Sequence, residues 1–580
     1  KVEAGIAIET LMGELYGAYN FQSVLNNIWY SIQELTNQPE GIATRQLFLS
    51  NVSTFLTKAQ EVYTGLVEYQ QNLDDQIREM VNGANGINAT VAEIARLTEI
   101  IRTAEAGGDK ANDYRDQRHL LLDHLSSMIP TDVYEGPTGE LHIMSMGHHL
   151  LSGSYQSVMG LRYISNEIAF VEPVFTSSKQ ILSAGTPSHE FTSYIDYGKP
   201  ISAASRNDSG TLLALMQARG TIAATHLSAH AEEPVLIDQA IADAAALAVG
   251  AASTNFLADL RAAALAAPGN AALQTALAHA ERDPNNFLAR YAAATGNAAL
   301  QTEIMREIDR DYSAQMHNHR AAMWSIENAM IPQTQMNIDR IVNKVATMIN
   351  DALTGNLRDK DGEYLFYQVD ANGDPVVVPG VIDPITGNPQ RIPIRPVDNG
   401  GDLGIPLFIR NSDAAAGPPY TWPITDDENP NIYATIFSIN NIKINPAFLQ
   451  AGGHNLLALS LGGAPGDTDL LVELQKVWMS GTGHYAVEIG DREFNIQDAY
   501  IRMTGIVATE IAEANSKVSS SMILTDQADN MRNAIKGVSM DEEMNAMLRF
   551  QFAFQAASRV FNMIDSMIDR IVNGTGRVGL

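Results

Sequence analysis

GVSMDEEMNAMLRFQFAFQAASRVFNMIDSMIDRIVNG, Gly537 to Gly574, decides how this chain is built. Its apolar residues Met547, Phe550, Phe554, Ala557, Phe561, Ile564, Ile568 and Ile571 are separated by steps of 3, 4, 3, 4, 3, 4 and 3. That rhythm draws one narrow apolar seam along a helix, as a coiled coil requires. Ser539 with Glu542 three positions later forms a capping box, and Asp541, Glu542 and Glu543 set negative charge against the positive helix end. Gly574 and Gly576 stop the helix. One helix cannot bury its own stripe, so the seam is predicted to dock on another element or another subunit.

A second segment of the same kind lies near the other end. From Ile42 to about Arg102 there is no proline, and Phe55, Ala59, Val62, Leu66, Tyr69, Leu73, Ile77, Met80, Ala84, Ile87, Val91, Ile94 and Ile101 keep a similar rhythm. A step of four from Leu73 to Ile77, where three is due, is the mark of a stutter. Gly83 and Gly86 are the weak point. At about 1.5 Å per residue a helix of this span would be roughly 90 Å long, which predicts a rod.

Between these ends the periods change. Residues 1–129 are predicted helical, the first amphipathic helix carrying Val24, Leu25, Ile28, Trp29, Ile32 and Leu35 and ending before Pro39. Short strands follow from Thr131 to about Val174, with a turn at Glu135 to Gly139, and a helix near Thr211 to Ala218. Residues 221–330 are alanine-rich and contain GNAALQT twice, at Gly269–Thr275 and Gly296–Thr302, which reads as an inserted helical domain with a short internal duplication. Met323 to Leu353 is helical, with Pro332 expected to kink or split it. A strand-and-turn region runs from about 355 to 438, and helix dominates again from 447.

Composition excludes several classes of function. A formal charge of −29, from 67 acidic and 38 basic residues, repels nucleic acid. The absence of cysteine removes disulfides, thiolate metal sites and cysteine nucleophiles. No apolar run is long enough to span a membrane, and KVEAGIAIETLMGEL is not a cleavable signal. Catalytic motifs fail one by one. His189-Glu190 opens a zincin-like motif, but Ser193 stands where the second histidine is needed. His226 and His230, four apart beside Glu232 and Glu233, have ligand spacing for zinc but no third ligand with a defined place. His148-His149, His317 and His319 read as surface or turn residues, and neither Ser152 nor Ser154 sits in a nucleophile-elbow frame. Asp370 to Asp374 imitates a calcium loop, yet Val381 occupies its twelfth position, and Asn372-Gly373 reads as a hairpin turn.

The segment Gly537–Gly574 resembles the closing helix of bacterial flagellar axial proteins, most nearly that of the flagellar hook-associated protein 1 family, the hook-filament junction proteins. DYRDQRHLLLDHLSS, Asp113–Ser127, is similar to that family's RDQR-type segment. INNIKINPAFLQAG, Ile439–Gly452, and GAPGDTDLLVELQ, Gly463–Gln475, resemble two later stretches in the same order. The family's opening helix and Asn/Thr-rich segment have no counterpart before Lys1, so the chain resembles a product trimmed at its front end, with its seam left frayed or docked on a neighbour.

The fold is therefore expected to be α+β and multidomain: a long coiled-coil-like helical rod from both chain ends, β-rich middle domains and an Ala-rich helical insertion. Expected parts are the rod's N-terminal half at 1–129, a β-rich segment at 130–220, the insertion at 221–330, a middle domain at 331–438, the rod's C-terminal half at 439–537, and the assembly helix at 538–580. Asp113, Arg115, Asp116, Gln117 and Arg118 are expected to fix the turn between rod segments, through local ion pairs. The resemblance implies a structural junction subunit that connects hook to filament, neither an enzyme nor a cofactor or metal binder. It implies self-assembly into a ring or helix, contacts with hook protein and the second hook-associated junction protein, an export chaperone on the C-terminal helix, and an extracellular place reached through the flagellar type III apparatus. Neither nucleic acid nor membrane is an expected partner. The alternatives are flagellin, the second junction protein, or a secreted zinc hydrolase carried on an axial scaffold.

Overall fold

The computed structural model describes residues 1–13, 20–107, 111–137, 139–164, 170–176, 181–202, 208–230, 256–268, 273–274, 277, 298–383, 386–398, 400–411, 436–462, 464, 466–536 and 540–574. They fall into two units, Lys1–Ile511 and Ala512–Leu580.

The first unit opens with five helices: α1 (Val2–Met12), α2 (Phe21–Asn37), α3 (Ile42–Asn82), α4 (Ile87–Ala106) and α5 (Asn112–Met128). The predicted continuous helix is broken between α3 and α4. A Cβ on Gly86 would stand 2.7 Å from the Met80 carbonyl oxygen and 2.8 Å from that of Glu79. The chain can turn this tightly only where side chains are missing. The rhythmic positions of α3 and α4 are mostly buried within the first unit itself, Phe55, Ala59, Leu66, Ile77, Ile87, Ile94 and Ile101 among them. They form core here, not a seam kept for neighbours.

Two apolar cores result. The first joins α1, α2 and α3 up to Leu73 with the helix Met330–Thr354, the helix Asp469–Trp478 and the start of the helix Ile496–Lys536. Phe21 stacks on Tyr500 at 5.2 Å between ring centroids, and Trp29 on Trp478 at 6.3 Å, so the sequence-distant parts of this unit lie side by side. The second core takes Ile77 and Val81 from the end of α3, then α4, α5 and the small sheets. The irregular step from Leu73 to Ile77 falls where α3 passes from one core to the other. An extra residue in the repeat rotates the apolar stripe, which is what serving two cores requires.

Strands β1 (Asp132–Glu135), β2 (Leu141–Ser145), β3 (His148–Ser152) and β4 (Tyr155–Gln156) make an antiparallel meander. In β2 the pattern alternates, Leu141, Ile143 and Ser145 inward with His142 and Met144 less buried, as a sheet with one packed face demands. β5 (Val158–Tyr163), β6 (Val171–Thr176) and β7 (Thr192–Ser193) form a second antiparallel sheet, and α6 (Thr211–Arg219) follows. The α+β expectation holds, with helical ends and small antiparallel sheets between.

The helices Ala298–Asn328 and Met330–Thr354 are separated at Ala329, whose backbone is extended (φ −112°, ψ 126°). The split falls three residues before Pro332, which then sits in a first helical turn where its missing N–H costs nothing. Met330–Thr354 is buried nearly all round, and two of its asparagines are spent on backbone. Asn343 donates to the Phe437 carbonyl at 3.0 Å, and Asn350 both donates to and accepts from the Phe408 backbone at 2.9 and 2.8 Å. Asp370 to Asp374 is a hairpin turn: Asp370 Oδ1 accepts the Asn372 and Asp374 N–H groups at 2.8 and 3.0 Å. The first GNAALQT copy falls largely outside the described residues, and the second runs into the helix Ala298–Asn328.

Candidate assembly surface

The second unit ends in the helix Met540–Gly574, none of whose residues is buried. Met547, Phe550, Phe554, Phe561, Ile564, Ile568 and Ile571 are between 46% and 76% exposed, and Ala557 is exposed with them. The helix is intact along this length rather than frayed. Asp541, Glu542 and Glu543 occupy its first turn, as the helix dipole favours; Ser539, the other half of the expected capping box, lies outside the described residues.

A further strip was not read from the sequence. Phe552, Ala556, Val560, Met563 and Met567 follow steps of 4, 4, 3 and 4, and all are exposed. With about 100° of rotation per residue, this strip flanks the first one over the second half of the helix, leaving Gln555, Arg559, Asn562, Asp565, Ser566 and Asp569 on the opposite side. The signal was present in the spacing but masked by the stronger seam beside it. Two adjoining apolar strips can meet two neighbours, whereas one strip meets one. Val518, Met522, Ile523, Leu524, Met531 and Ile535, on the preceding helix, are also exposed. So much exposed apolar surface marks an interaction site rather than a finished monomer.

Asp113, Arg115, Asp116, Gln117 and Arg118 stand just beyond the connection from α4 to α5 that they were expected to fix. All five lie in the first two turns of α5. The acidic partners are also not the interleaved aspartates. Arg115 pairs with Glu105 at the end of α4 (2.7 Å) and with Glu135 of β1 (3.1 Å), and Arg118 pairs with Glu135 at 2.8 Å. Helical spacing turns Asp113 and Asp116 away from the arginines' targets. The cluster ties α4, α5 and β1 together, with Arg118 fully buried and Arg115 partly open to solvent.

Three of the candidate histidines are engaged elsewhere, and Glu232 and Glu233 lie outside the described residues. His226 opens the 3₁₀ turn His226–His230, and its Nδ1 is held 2.7 Å from Asp339 Oδ2. His317 Nε2 is 2.8 Å from the buried Glu172, which also accepts from Arg162, Ser193 and Tyr197. These partners hold the Glu172 carboxyl below its ordinary range despite its burial. His148 stacks on Phe175 at 4.4 Å. Among the described residues no group of three or more His, Asp or Glu is placed to hold a metal ion, and no helix is long and apolar enough to cross a membrane.

Residues 6–229 match the family described as flagellar hook-associated protein FlgK helical domain, and residues 534–574 match the family described as flagellar basal body rod FlgEFG protein C-terminal. Flagellar hook-associated protein 1 of Bacillus subtilis (strain 168) is 33% identical over 135 residues, covering 23% of this chain and 25% of that relative. The chain therefore aligns with about a quarter of the relative's length. The flagellar hook junction protein FlgK from Burkholderia pseudomallei superposes on 43% of this chain and 40% of its own at 18% identity, with a TM-score of 0.28. The match over residues 6–229 and the relative bear out the resemblance to flagellar hook-associated proteins, and the match over 534–574 is to flagellar rod proteins. The second match contains all eight seam residues.

Proposed function

We propose that this chain, similar to flagellar hook-associated proteins over residues 6–229 and to flagellar basal body rod proteins over 534–574, is a structural subunit of the bacterial flagellum that joins hook to filament and is needed for filament assembly. One observation carries the reading: a helix of 35 residues bears two adjoining apolar strips and buries none of them, within a segment that matches a flagellar axial family. Such surface stays in water only until a partner covers it.

In this reading the partners are sister copies arranged in a ring or helix, the hook protein, and the second hook-associated junction protein. A chaperone covers the strips before export through the flagellar type III apparatus, and the mature subunit is extracellular at the hook-filament junction. The role is mechanical, with no reaction catalysed and no cofactor. Cells that lack the protein should build hooks yet release filament subunit into the medium. Filaments still attached to hooks in such cells would overturn the assignment.

A further inference from the structure

The flanking strip of the helix Met540–Gly574 is itself a heptad seam. Ala553, Ala556, Val560, Met563 and Met567 follow steps of 3, 4, 3 and 4, the rhythm of the first seam from Met547 to Ile571, and all five are exposed. At about 100° per residue the midlines of the two seams lie roughly 110° apart around the axis, so both can be covered at once.

The seams differ in bulk. The first presents Phe550, Phe554, Phe561, Ile564, Ile568 and Ile571, whereas the second opens with two alanines and continues with Val560 and two methionines. Two helices laid parallel with a shift of one residue bring the first seam of one copy onto the second seam of the next in matched layers. Phe554 lies on Ala553, Ala557 on Ala556, Phe561 on Val560, Ile564 on Met563 and Ile568 on Met567. Large knobs then enter holes edged by small or pliant side chains. A symmetric parallel pair would instead set Phe554 on Phe554 and Phe561 on Phe561, and would leave the second seam bare.

Charge favours the same register. In a parallel coiled coil the residue just before a seam position meets, about five positions further along, the residue just after a seam position on the other helix. Arg559 precedes Val560 of the second seam, and Asp565 follows Ile564 of the first; both are exposed. The one-residue shift brings Arg559 of one copy to Asp565 of the next. In the symmetric pair Asp565 would meet Val560.

We propose that sister copies pack heterologously, the first seam of each C-terminal helix on the second seam of the next. A row of such helices always ends with an open seam, so the contact repeats and builds a ring or a helix rather than a closed pair. This deepens the structural-subunit reading, on which it rests, by fixing which side of the helix meets which.

The chain has no cysteine, so introduced ones report neighbours without background. Phe561→Cys and Val560→Cys occupy one layer of the contact at sites exposed in the subunit. Purified full chains of the two variants, mixed at high concentration and oxidised, should give the mixed disulfide at least about tenfold over either like pair, because like positions do not come within disulfide reach. Arg559→Asp in both chains should lower that yield about two- to fivefold, and adding Asp565→Arg should restore it. A mixed disulfide no more abundant than Phe561→Cys joined to itself overturns the proposal, as does the absence of any disulfide or a charge swap that fails to restore the yield. Failure of the crosslink while cells lacking the protein still release filament subunit sinks the pairing alone. The mixed disulfide together with attached filaments in such cells sinks the junction role alone.

Discussion

Replacing Phe554 and Ile564 together with aspartate separates assembly from folding. The two side chains are 73% and 46% exposed in the subunit. Fully burying a large apolar side chain is worth about 1.5–3 kcal/mol, so partner contact would add about 2 kcal/mol at Phe554 and about 1 kcal/mol at Ile564. A carboxylate driven into an apolar contact without a partner adds a penalty of at least about 3 kcal/mol. The double variant thus loses about 6 kcal/mol per helix contact, roughly four orders of magnitude in association. In the free subunit neither residue is buried, and the same substitutions should move stability by no more than about 0.5 kcal/mol. Urea denaturation of the full chain should show an unchanged midpoint, while co-sedimentation with isolated hooks and filament attachment in complemented cells should both be lost. Normal attachment would refute the role of the seam, and a lowered urea midpoint would show that the seam packs inside the subunit.

Three further outcomes test the fold of the first unit. Gly86→Ala forces a methyl against the Met80 and Glu79 carbonyl oxygens at the break between α3 and α4, and thermal melts should register a loss of about 1–3 kcal/mol. His484 is pushed down from 6.5 to about 3, first by burial and then by the charges of Lys344 and Arg358. Below 6.5 the unfolded chain takes up a proton that the folded one refuses, so stability should fall as pH drops toward about 3 and level off beneath it. Urea midpoints measured across pH should show that slope in the wild type and a shallower one in His484→Gln. In the α5 cluster, Arg115→Ala removes a pair that is 30% exposed and should cost under about 1 kcal/mol, whereas Arg118→Ala empties a buried site and should cost about 2 kcal/mol; equal losses on denaturation would contradict this ordering.

Much of this architecture was legible because local periodicity has a local cause. The seam from Met547 to Ile571, the C-terminal end of α2 and the hairpin at Asn372-Gly373 each follow from spacing or turn chemistry within a few residues. The glycines at 83 and 86 were visible as a weak point, but whether a glycine pair bends or breaks a helix depends on what packs beside it. Here the break falls inside the second core, which takes Ile77 and Val81 from α3 and Ile87, Val91 and Ile94 from α4. The rhythm of α3 and α4 could not by itself say that it faced the subunit's own interior, since a buried stripe and an interface stripe share one pattern. Arg115 and Arg118 were noticed, but their acidic partners, Glu105 and Glu135, come from other elements.

From its sequence alone this chain has helical ends, a sheet-bearing middle and an apolar C-terminal helix, because hydrophobic periods of two and near three and a half residues belong to the strand and the helix themselves. Tertiary structure alone decided which stripe is spent at home and which is left bare, because that choice depends on the surfaces brought alongside each helix. It also decided that His226, a zinc candidate by spacing, would meet Asp339 instead. The two are 113 residues apart, and only the folded backbone brings them together.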